Sequence, residues 1–207
     1  MKHLSPSHIL VYIFPFLAVG CGSADQAEQV PEEPASAVEN ALLVSLSSER
    51  TGITFSNPIV EDASMNYFKY EYLYNGGGVA VGDLNNDGLA DVYFTGTANP
   101  DKMYLNRGGM SFEDVTPKTL PTKHEGWHSG VNIVDLNDDG WLDIYVSRSG
   151  WYTDPDLRKN LLYINKGGIQ PGGVPQFEER AEAFGIADTG RTTQSAFFDH
   201  DADGALD

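Results

Sequence analysis

Cysteine is almost absent from this chain of 207 residues, in which Cys21 is the only one. A single cysteine near the amino terminus excludes an internal disulfide framework and leaves no thiol for catalysis. Basic residues are also few, with 13 Lys and Arg against 30 Asp and Glu and a formal net charge of −17. Because contacts to phosphate need clustered Lys and Arg, this charge argues against nucleic acid as a partner.

The usual enzyme fingerprints are missing as well, since the sequence has no P-loop, no G-x-S-x-G elbow and no dinucleotide-binding glycine pattern. One enzyme motif does occur, because His124-Glu-Gly-Trp-His128 has the H-E-x-x-H spacing of zinc peptidases. That chemistry needs a helix that places both imidazoles on one face. Pro121 just upstream and Gly126 inside the motif favour a polar loop instead. No catalytic residue is therefore predicted, and a zinc peptidase that uses His124 and His128 stays an alternative.

The amino terminus has the features of an export signal. The apolar run from Ile9 to Val19 is too short to span a bilayer and fits the hydrophobic part of a signal peptide over residues 1–21. Small residues directly before Cys21 resemble a bacterial lipobox, which predicts lipidation of that cysteine; the alternative is an ordinary secretory signal cut near Gly20. Residues 22–43 are polar, acidic and proline-containing, and they are predicted to form a flexible tether.

The most informative feature is a nine-residue pattern, D-x-[ND]-x-D-G-x-x-D, which begins at Asp83, Asp135 and Asp199. Oxygen side chains at positions 1, 3, 5 and 9, a carbonyl at position 7 and a turn-forming Gly at position 6 are what a hard cation needs. Two carboxylates roughly 5 Å apart repel by about 3 kcal/mol at an effective dielectric of about 20, so such loops are hard to explain without a cation. Calcium suits them better than magnesium, and the alternative is an Asx-rich turn that binds nothing. The predicted calcium ligands are Asp83, Asn85, Asp87, Leu89 and Asp91; Asp135, Asn137, Asp139, Trp141 and Asp143; and Asp199, Asp201, Asp203, Ala205 and Asp207.

Short apolar runs flank the first two loops, at 79–81 and 92–94 and again at 131–134 and 144–146. Their β-branched and aromatic residues predict strands, so each loop is expected to join the two strands of a hairpin. An EF-hand would have helices on both sides and a Glu at position 12, where both loops have an apolar residue. A further aromatic run, residues 66–74, fits either a strand of the first unit or a cover over its edge.

The repetition extends beyond the loops. Residues 103–109 (MYLNRGG) match residues 162–168 (LYINKGG), and Phe112-Glu-Asp matches Phe177-Glu-Glu. The first aspartates of successive loops are 52 and then 64 residues apart, and the extra residues fall between the strand-like runs. A period of this size with about four strand-like runs per unit predicts an all-β fold of propeller blades, with about two and a half blades present.

The sequence Gly-Val-Ala-x-x-Asp-x-Asn-x-Asp-Gly-x-x-Asp, followed by Tyr-Leu-Asn and Phe-Glu-Asp-Val, resembles the FG-GAP-like (VCBS-type) repeats of bacterial surface proteins. Those repeats are related to the blades of integrin α-subunit propellers and of the cartilage acidic protein family. The resemblance covers roughly residues 51–207 and implies a β-propeller region over residues 44–207. Because closed propellers have four to eight blades, we expect the chain to be the N-terminal part of a longer protein, with its third calcium site incomplete.

Together these features predict a calcium-binding β-propeller lipoprotein, exported and anchored by lipid at the bacterial outer membrane or cell surface. It would act as a binding or adhesion module for a protein or a glycan, with structural calcium. The alternatives from other classes are the zinc peptidase, a polysaccharide-degrading protein whose active site lies beyond Asp207, and a spacer between an anchor and distal domains.

Overall fold

The computed structural model describes residues 42–120 and 125–206. The described chain is nearly all β and contains two antiparallel four-stranded sheets, each with its strands in sequence order. In the first sheet these strands are β1 (Val79–Gly82), β2 (Asp91–Phe94), β3 (Lys102–Asn106) and β4 (Phe112–Asp114). Two one-turn helices border this sheet in sequence, α1 (Ser48–Thr51) before it and α2 (Thr116–Thr119) after it.

The second sheet repeats the first. Its strands are β5 (Trp127–Val134), β6 (Asp143–Ser149), β7 (Leu161–Asn165) and β8 (Phe177–Glu179), with a 3-10 turn at Pro155–Leu157 between β6 and β7. Four antiparallel strands joined in chain order are the form of a propeller blade. The predicted all-β fold is therefore confirmed, and so is the prediction that the first two acidic loops each join the strands of a hairpin.

The two sheets also share their register. Asn106 of β3 pairs with Phe112 of β4, and the matching Asn165 of β7 pairs with Phe177 of β8. The additional residues of the second unit lie between β6 and β7 and between β7 and β8. The sequence repeat is thus a repeat of strand pairing, and loops absorb the differences in length.

The main core lies between the two sheets. Strands from both sheets place apolar side chains into it, and all of them are at most 5% exposed. Burying each such side chain contributes about 1.5–3 kcal/mol to folding, so this interface supplies much of the stability of the region. Its members are Leu84, Tyr93, Met103, Leu105 and Val115 from the first unit and Val131, Ile144, Val146, Tyr163 and Phe177 from the second.

Two glycines allow the first strand of each sheet to approach the other. A Cβ atom on Gly78 would lie 3.0 Å from the backbone nitrogen of Val131, and one on Gly82 would lie 2.7 Å from Cγ2 of Ile133. Real Cβ atoms almost never come within 3.0 Å of another heavy atom, so a side chain at Gly82 would push β1 away from β5. The run Gly78-Val-Ala-Val-Gly82 is therefore specific to a strand that packs closely on a neighbouring sheet.

The outward face of each sheet is covered by chain without strands. Phe55, from the segment before β1, stacks on Phe94 of β2 with ring centroids 4.8 Å apart. On the second sheet, Tyr145 and Leu162 pack against residues that follow β8. That second cluster comprises Tyr145, Leu162 and Ala181 with Leu136, Ile164, Ile186, Ala187 and Phe197.

The aromatic run at residues 66–74 forms turns, so the interpretation of this run as a strand is wrong. Leu73 is fully buried, and the ring of Tyr70 lies 5.5 Å from the ring of Trp127 at the start of β5. The run thus contacts the end of the second sheet through the ring of Tyr70, whereas its rings at positions 67, 68, 72 and 74 are all more than half exposed.

Several predictions fall on other parts of the chain. The predicted signal peptide (1–21), with Cys21, lies outside the described residues, as do residues 22–41 of the predicted tether, His124 and Asp207. All eight strands belong to the compact unit that begins at Ser45. Among the residues that the structure describes, no helix has the length and apolar character needed to cross a bilayer.

Replacing Val146 by Ala is expected to lower the free energy of unfolding by about 2 kcal/mol, because this fully buried side chain lies in the core between the sheets. Val79→Ala is the matched control, since Val79 is also a strand valine but is 58% exposed; we expect its effect to stay within about 0.5 kcal/mol. Urea unfolding followed by circular dichroism measures both values. Equal losses for the two variants would contradict the assignment of this core.

Candidate metal centres

The first two acidic loops lie at the same end of the two sheets, between β1 and β2 and between β5 and β6. The third loop begins at Asp199, and no strand borders it within residues 180–206. All three loops nevertheless share one backbone turn, in which positions 4 and 6 are left-handed. The φ angles at position 4 are 54° at Asn86, 56° at Asp138 and 63° at Ala202, and those at position 6 are 84° at Gly88, 84° at Gly140 and 93° at Gly204.

The side chains of the first loop turn towards its interior. The carboxylate of Asp83 accepts hydrogen bonds from the backbone N–H of Asp87 at 3.1 Å and of Gly88 at 2.8 Å. Asn85 accepts from the N–H of Asp87 at 3.2 Å, and Asp87 accepts from the N–H of Leu89 at 2.9 Å. These hydrogen bonds hold the side chains at positions 1, 3 and 5 around one small space inside the loop.

The other two loops repeat these bonds. Asp135 accepts from the N–H of Asp139 at 3.2 Å and of the next residue at 2.8 Å. Asp199 accepts from the N–H of Asp203 at 3.2 Å and of the next residue at 2.9 Å. In this third loop, carboxylate oxygens of Asp199, Asp201 and Asp203 all lie within 4.8 Å of one another.

A buried aspartate at position 9 closes each of the first two loops. Asp91 is fully buried, and its two carboxylate oxygens accept from the N–H of Leu84 at 2.9 Å and of Asn106 at 2.8 Å. Asp143 is also fully buried and accepts from the matching residues of its own sheet at 3.0 and 2.8 Å. This carboxylate therefore ties the loop to the third strand as well as to the first hairpin.

These buried carboxylates are held in an unfavourable electrostatic setting. Burial raises the pKa of Asp91 to about 6, and the nearby charges of Asp87 and Asp83 add to the effect. The pKa of Asp143 is raised to about 6 for the same reasons. Within the described residues, no salt bridge joins a loop carboxylate to a Lys or Arg side chain. A bound cation would offset this negative charge.

The donor set fits a hard cation such as Ca²⁺. Such a cation takes six to eight oxygen ligands in flexible geometry, and clustered carboxylates and amide oxygens supply them. The hydrogen bonds within the loops are also those of Asx turns, but a turn alone does not require acidic residues at positions 1, 5 and 9 together. The residues that could hold the ion are the side chains of Asp83, Asn85, Asp87, Asp91, Asp135, Asn137, Asp139, Asp143, Asp199, Asp201 and Asp203, with the position-7 residues Leu89, Trp141 and Ala205 in the same turns.

Sequence reasoning missed the asparagines that support these loops. Asn106 donates from its side chain to the carbonyl of Ala90 at 3.0 Å, beside the N–H that it gives to Asp91. Asn165 likewise donates to the carbonyl of Leu84 at 2.9 Å, which links the second sheet to the first loop. The signal was present in the repeated Tyr-x-Asn of β3 and β7, but nothing in the spacing of these residues connects them with the acidic loops.

The second sheet also shields the first loop. Asn85 is fully buried, whereas Asn137, at the same position of the second loop, is exposed. The side chain of Asn86 donates to the carbonyl of Gly140 at 3.1 Å and so joins the two loops directly. Identical sequence positions therefore have different access to solvent, because the second sheet lies beside the first loop.

His128 does not lie on a helix. It belongs to strand β5, is 3% exposed, and its Nδ1 atom lies 2.8 and 2.9 Å from the two carboxylate oxygens of Asp101. The hydroxyl of Tyr93 donates to the same carboxylate at 2.8 Å. Since the H-E-x-x-H zinc site requires a helix through its second histidine, the described part of the motif gives no support to the zinc alternative.

Residues 83–146, which run from the first acidic loop to β6, match the model of the FG-GAP-like repeat family. The chain is also similar to cartilage acidic protein 1 of Xenopus tropicalis, with 28% identity over 130 residues, or 62% of this chain and 18% of that protein. Similarity to the human cartilage acidic protein 1 is 28% over 138 residues, covering 64% of this chain and 20% of that protein. The chain thus spans about a fifth of the length of these relatives.

Binding of Ca²⁺ to the first two loops is expected to release protons at pH 6. Asp91 and Asp143 have a raised pKa of about 6, so each is about half protonated there, whereas an Asp in an unfolded chain has a pKa of about 3.9. Without a cation, charging these groups as the pH rises from 4 to 7 therefore lowers their contribution to the free energy of unfolding. Because the ion needs both groups charged, we expect roughly one proton to leave at pH 6 and almost none at pH 7.5.

Isothermal titration calorimetry with CaCl₂ in two buffers of different ionisation enthalpy measures this proton release. At pH 6 the observed heats should differ between the buffers, and at pH 7.5 they should agree. Equal heats in both buffers at pH 6, with calcium bound, would show that these aspartates are not charged by the ion.

Proposed function

Because the chain carries FG-GAP-like repeats folded as β-propeller blades, we propose that it is a calcium-stabilised binding module on the outside of a bacterial cell. The observation that carries the proposal is that three loops share one turn and bring acidic side chains together, while no Lys or Arg among residues 42–120 and 125–206 forms a salt bridge to them. Calcium is the ion whose ligand number and flexible geometry fit this donor set best.

The role of the ion in this proposal is structural. Each of the first two loops connects the first strand of a blade to the second, and its position-9 aspartate also accepts a hydrogen bond from the third strand. An ion held by the loop offsets the repulsion among its carboxylates, which otherwise opposes the closed turn by about 3 kcal/mol per pair. Calcium thus stiffens one end of the blade and leaves the opposite end for recognition.

The proposed cellular location of the protein is based on the sequence of its amino terminus. We propose that residues 1–21 direct export, that Cys21 is lipidated, and that the acidic segment 22–43 holds the propeller region away from the outer membrane. An acidic, soluble repeat region with a formal net charge of −17 for the whole chain suits an exposed position and a protein or glycan partner rather than nucleic acid.

Calcium is expected to raise the melting temperature of the chain by about 5–10 °C relative to excess EDTA. A free Ca²⁺ concentration of about 100 times the dissociation constant adds roughly 2.7 kcal/mol to the free energy of unfolding for one site. Each 1 kcal/mol raises the melting temperature by about 2–4 °C for a domain of this size. Differential scanning calorimetry with 2 mM CaCl₂ and with EDTA makes the comparison. The same melting temperature in both solutions would refute a structural role for calcium.

A matched pair of variants locates this effect in the second loop. Asp139→Asn and Asp138→Asn each remove one negative charge, but only Asp139 occupies a ligand position of the pattern. Asn also tolerates the left-handed conformation at position 138, where φ is 56°. Asp139→Asn should reduce the calcium-induced shift, and Asp138→Asn should preserve it. If both variants reduced the calcium-induced shift in melting temperature equally, the shift would depend only on net charge and not on the ligand position.

Replacing Cys21 by Ser is expected to move the protein from the membrane fraction of a bacterial host to the soluble exported fraction. We propose that lipid on the sulfur atom of Cys21 attaches the protein to the membrane. The substitution removes this sulfur atom and leaves the rest of the signal sequence unchanged. Incorporation of labelled palmitate and cell fractionation measure the result, with Ser23→Ala as the control. Unchanged membrane retention of the Ser variant would contradict lipid anchoring.

A further inference from the structure

A groove of about 600 Å³ lies at the end of the second sheet opposite its acidic loop. Strand β6 connects the two ends, because it begins at Asp143 of the loop and ends at Ser149, which lines the groove. The groove is lined by the turns of residues 67–72 and by Trp151, Arg191 and Thr193. The site is therefore separate from the candidate metal centres.

A cluster of packed aromatic rings lies beside the groove, and two of its members, Tyr70 and Trp151, line the groove itself. Trp127 is 2% exposed, and its ring lies 5.5 Å from that of Tyr70 and 5.4 Å from that of Trp151. Tyr70 and Trp151 in turn are 5.5 Å apart, and Tyr152 stacks on Trp151 at 4.8 Å. Mutual packing of this kind fixes the orientation of the rings before any ligand binds, which reduces the entropy lost on binding.

The rim of the groove exposes further aromatic side chains. Tyr67 is 53% exposed, Phe68 is 98% exposed and Tyr72 is 52% exposed. Single exposed apolar residues are normal, but three rings within six residues, next to a preformed concave surface, are typical of a binding site. Aromatic rings on such surfaces offer flat faces with negative electrostatic potential.

The charges of the groove limit what it can hold. Lys69 and Arg191 contribute positive charge and Glu71 contributes negative charge. Arg191 is oriented by the bond from its Nε to the carbonyl of Gly150 at 3.0 Å. Lys69 and Arg191 disfavour a cationic ligand, and the carboxylate of Glu71 disfavours an anionic one. These charges favour a neutral ligand, and the exposed rings favour one that has an apolar face.

A sugar ring has this combination of properties. The C–H groups on a face of a pyranose can lie against an aromatic ring, while its hydroxyl groups point outwards within hydrogen-bonding reach of carboxylate, guanidinium and hydroxyl groups. The volume of about 600 Å³ is within the range of about 300–1,000 Å³ that is typical of small-ligand sites. We propose that this aromatic groove binds a short neutral oligosaccharide. The inference rests on the proposed function as a surface binding module and names its ligand class.

The test uses the full chain and immobilised neutral oligosaccharides of glucose, galactose, mannose and N-acetylglucosamine, with a uronate oligosaccharide and a peptide panel for comparison. Calorimetric titration of the best neutral oligosaccharide then compares variants. Phe68→Ala and Tyr72→Ala should each weaken binding by about tenfold, because each removes an exposed ring face without disturbing the core. Phe184→Ala is the matched control, since Phe184 is 41% exposed and lies outside the groove, and it should bind like the unmodified chain.

Three results would overturn the inference: no binding to any neutral oligosaccharide, preferential binding to the uronate or to peptides, or equal affinity in Phe68→Ala, Tyr72→Ala and the unmodified chain. Melting temperatures in CaCl₂ and EDTA are recorded on the same samples. A calcium-dependent melt without sugar binding would reject the groove and leave the calcium-stabilised module in place. Sugar binding with a calcium-independent melt would support the groove and reject the structural role of calcium.

Discussion

A buried carboxylate at the end of each of the first two acidic loops is the interaction on which the two blades depend. Asp91 and Asp143 each accept backbone hydrogen bonds from the loop and from the third strand of the same sheet. The bond to the third strand brings residues 15 or 22 positions apart into contact, so the carboxylate fixes the hairpin and its neighbour at once. Its raised pKa shows that this arrangement is electrostatically costly, which is why the nature of the counter-charge matters for the whole fold.

The two ends of the sheets have different chemistry. One end concentrates the negative charges of the first two acidic loops in hydrogen-bonded turns. The opposite end of the second sheet has an aromatic cluster around Trp127, next to a groove with side chains of both charges. A blade is well suited to this separation, because its strands are short and rigid and its loops tolerate insertion. The longer connection after β6, which carries Trp151 and Tyr152, shows how one blade acquires a surface that its neighbour lacks.

Local patterns predicted the strands well for a physical reason. Apolar runs of β-branched and aromatic residues on either side of Asp83 to Asp91 and of Asp135 to Asp143 leave little choice besides a hairpin. The aromatic run at residues 66–74 was ambiguous by the same criteria, and it forms turns in which the ring of Tyr70 contacts Trp127, far along the chain. The H-E-x-x-H motif was predicted to form a polar loop, and this is wrong for Trp127 and His128, which are buried in β5 through its pairing with β6.

The repeat, the all-β class and the spacing of the acidic residues in the loops can be read from the sequence, because each depends on residues that are close together in the chain. The packing of the two sheets is needed to explain which of these groups are buried, why Asn106 and Asn165 support the loops, and how Tyr70 and Trp151 come to contact Trp127. Burial and long-range contact depend on how the two sheets pack. No local pattern of residues contains that information.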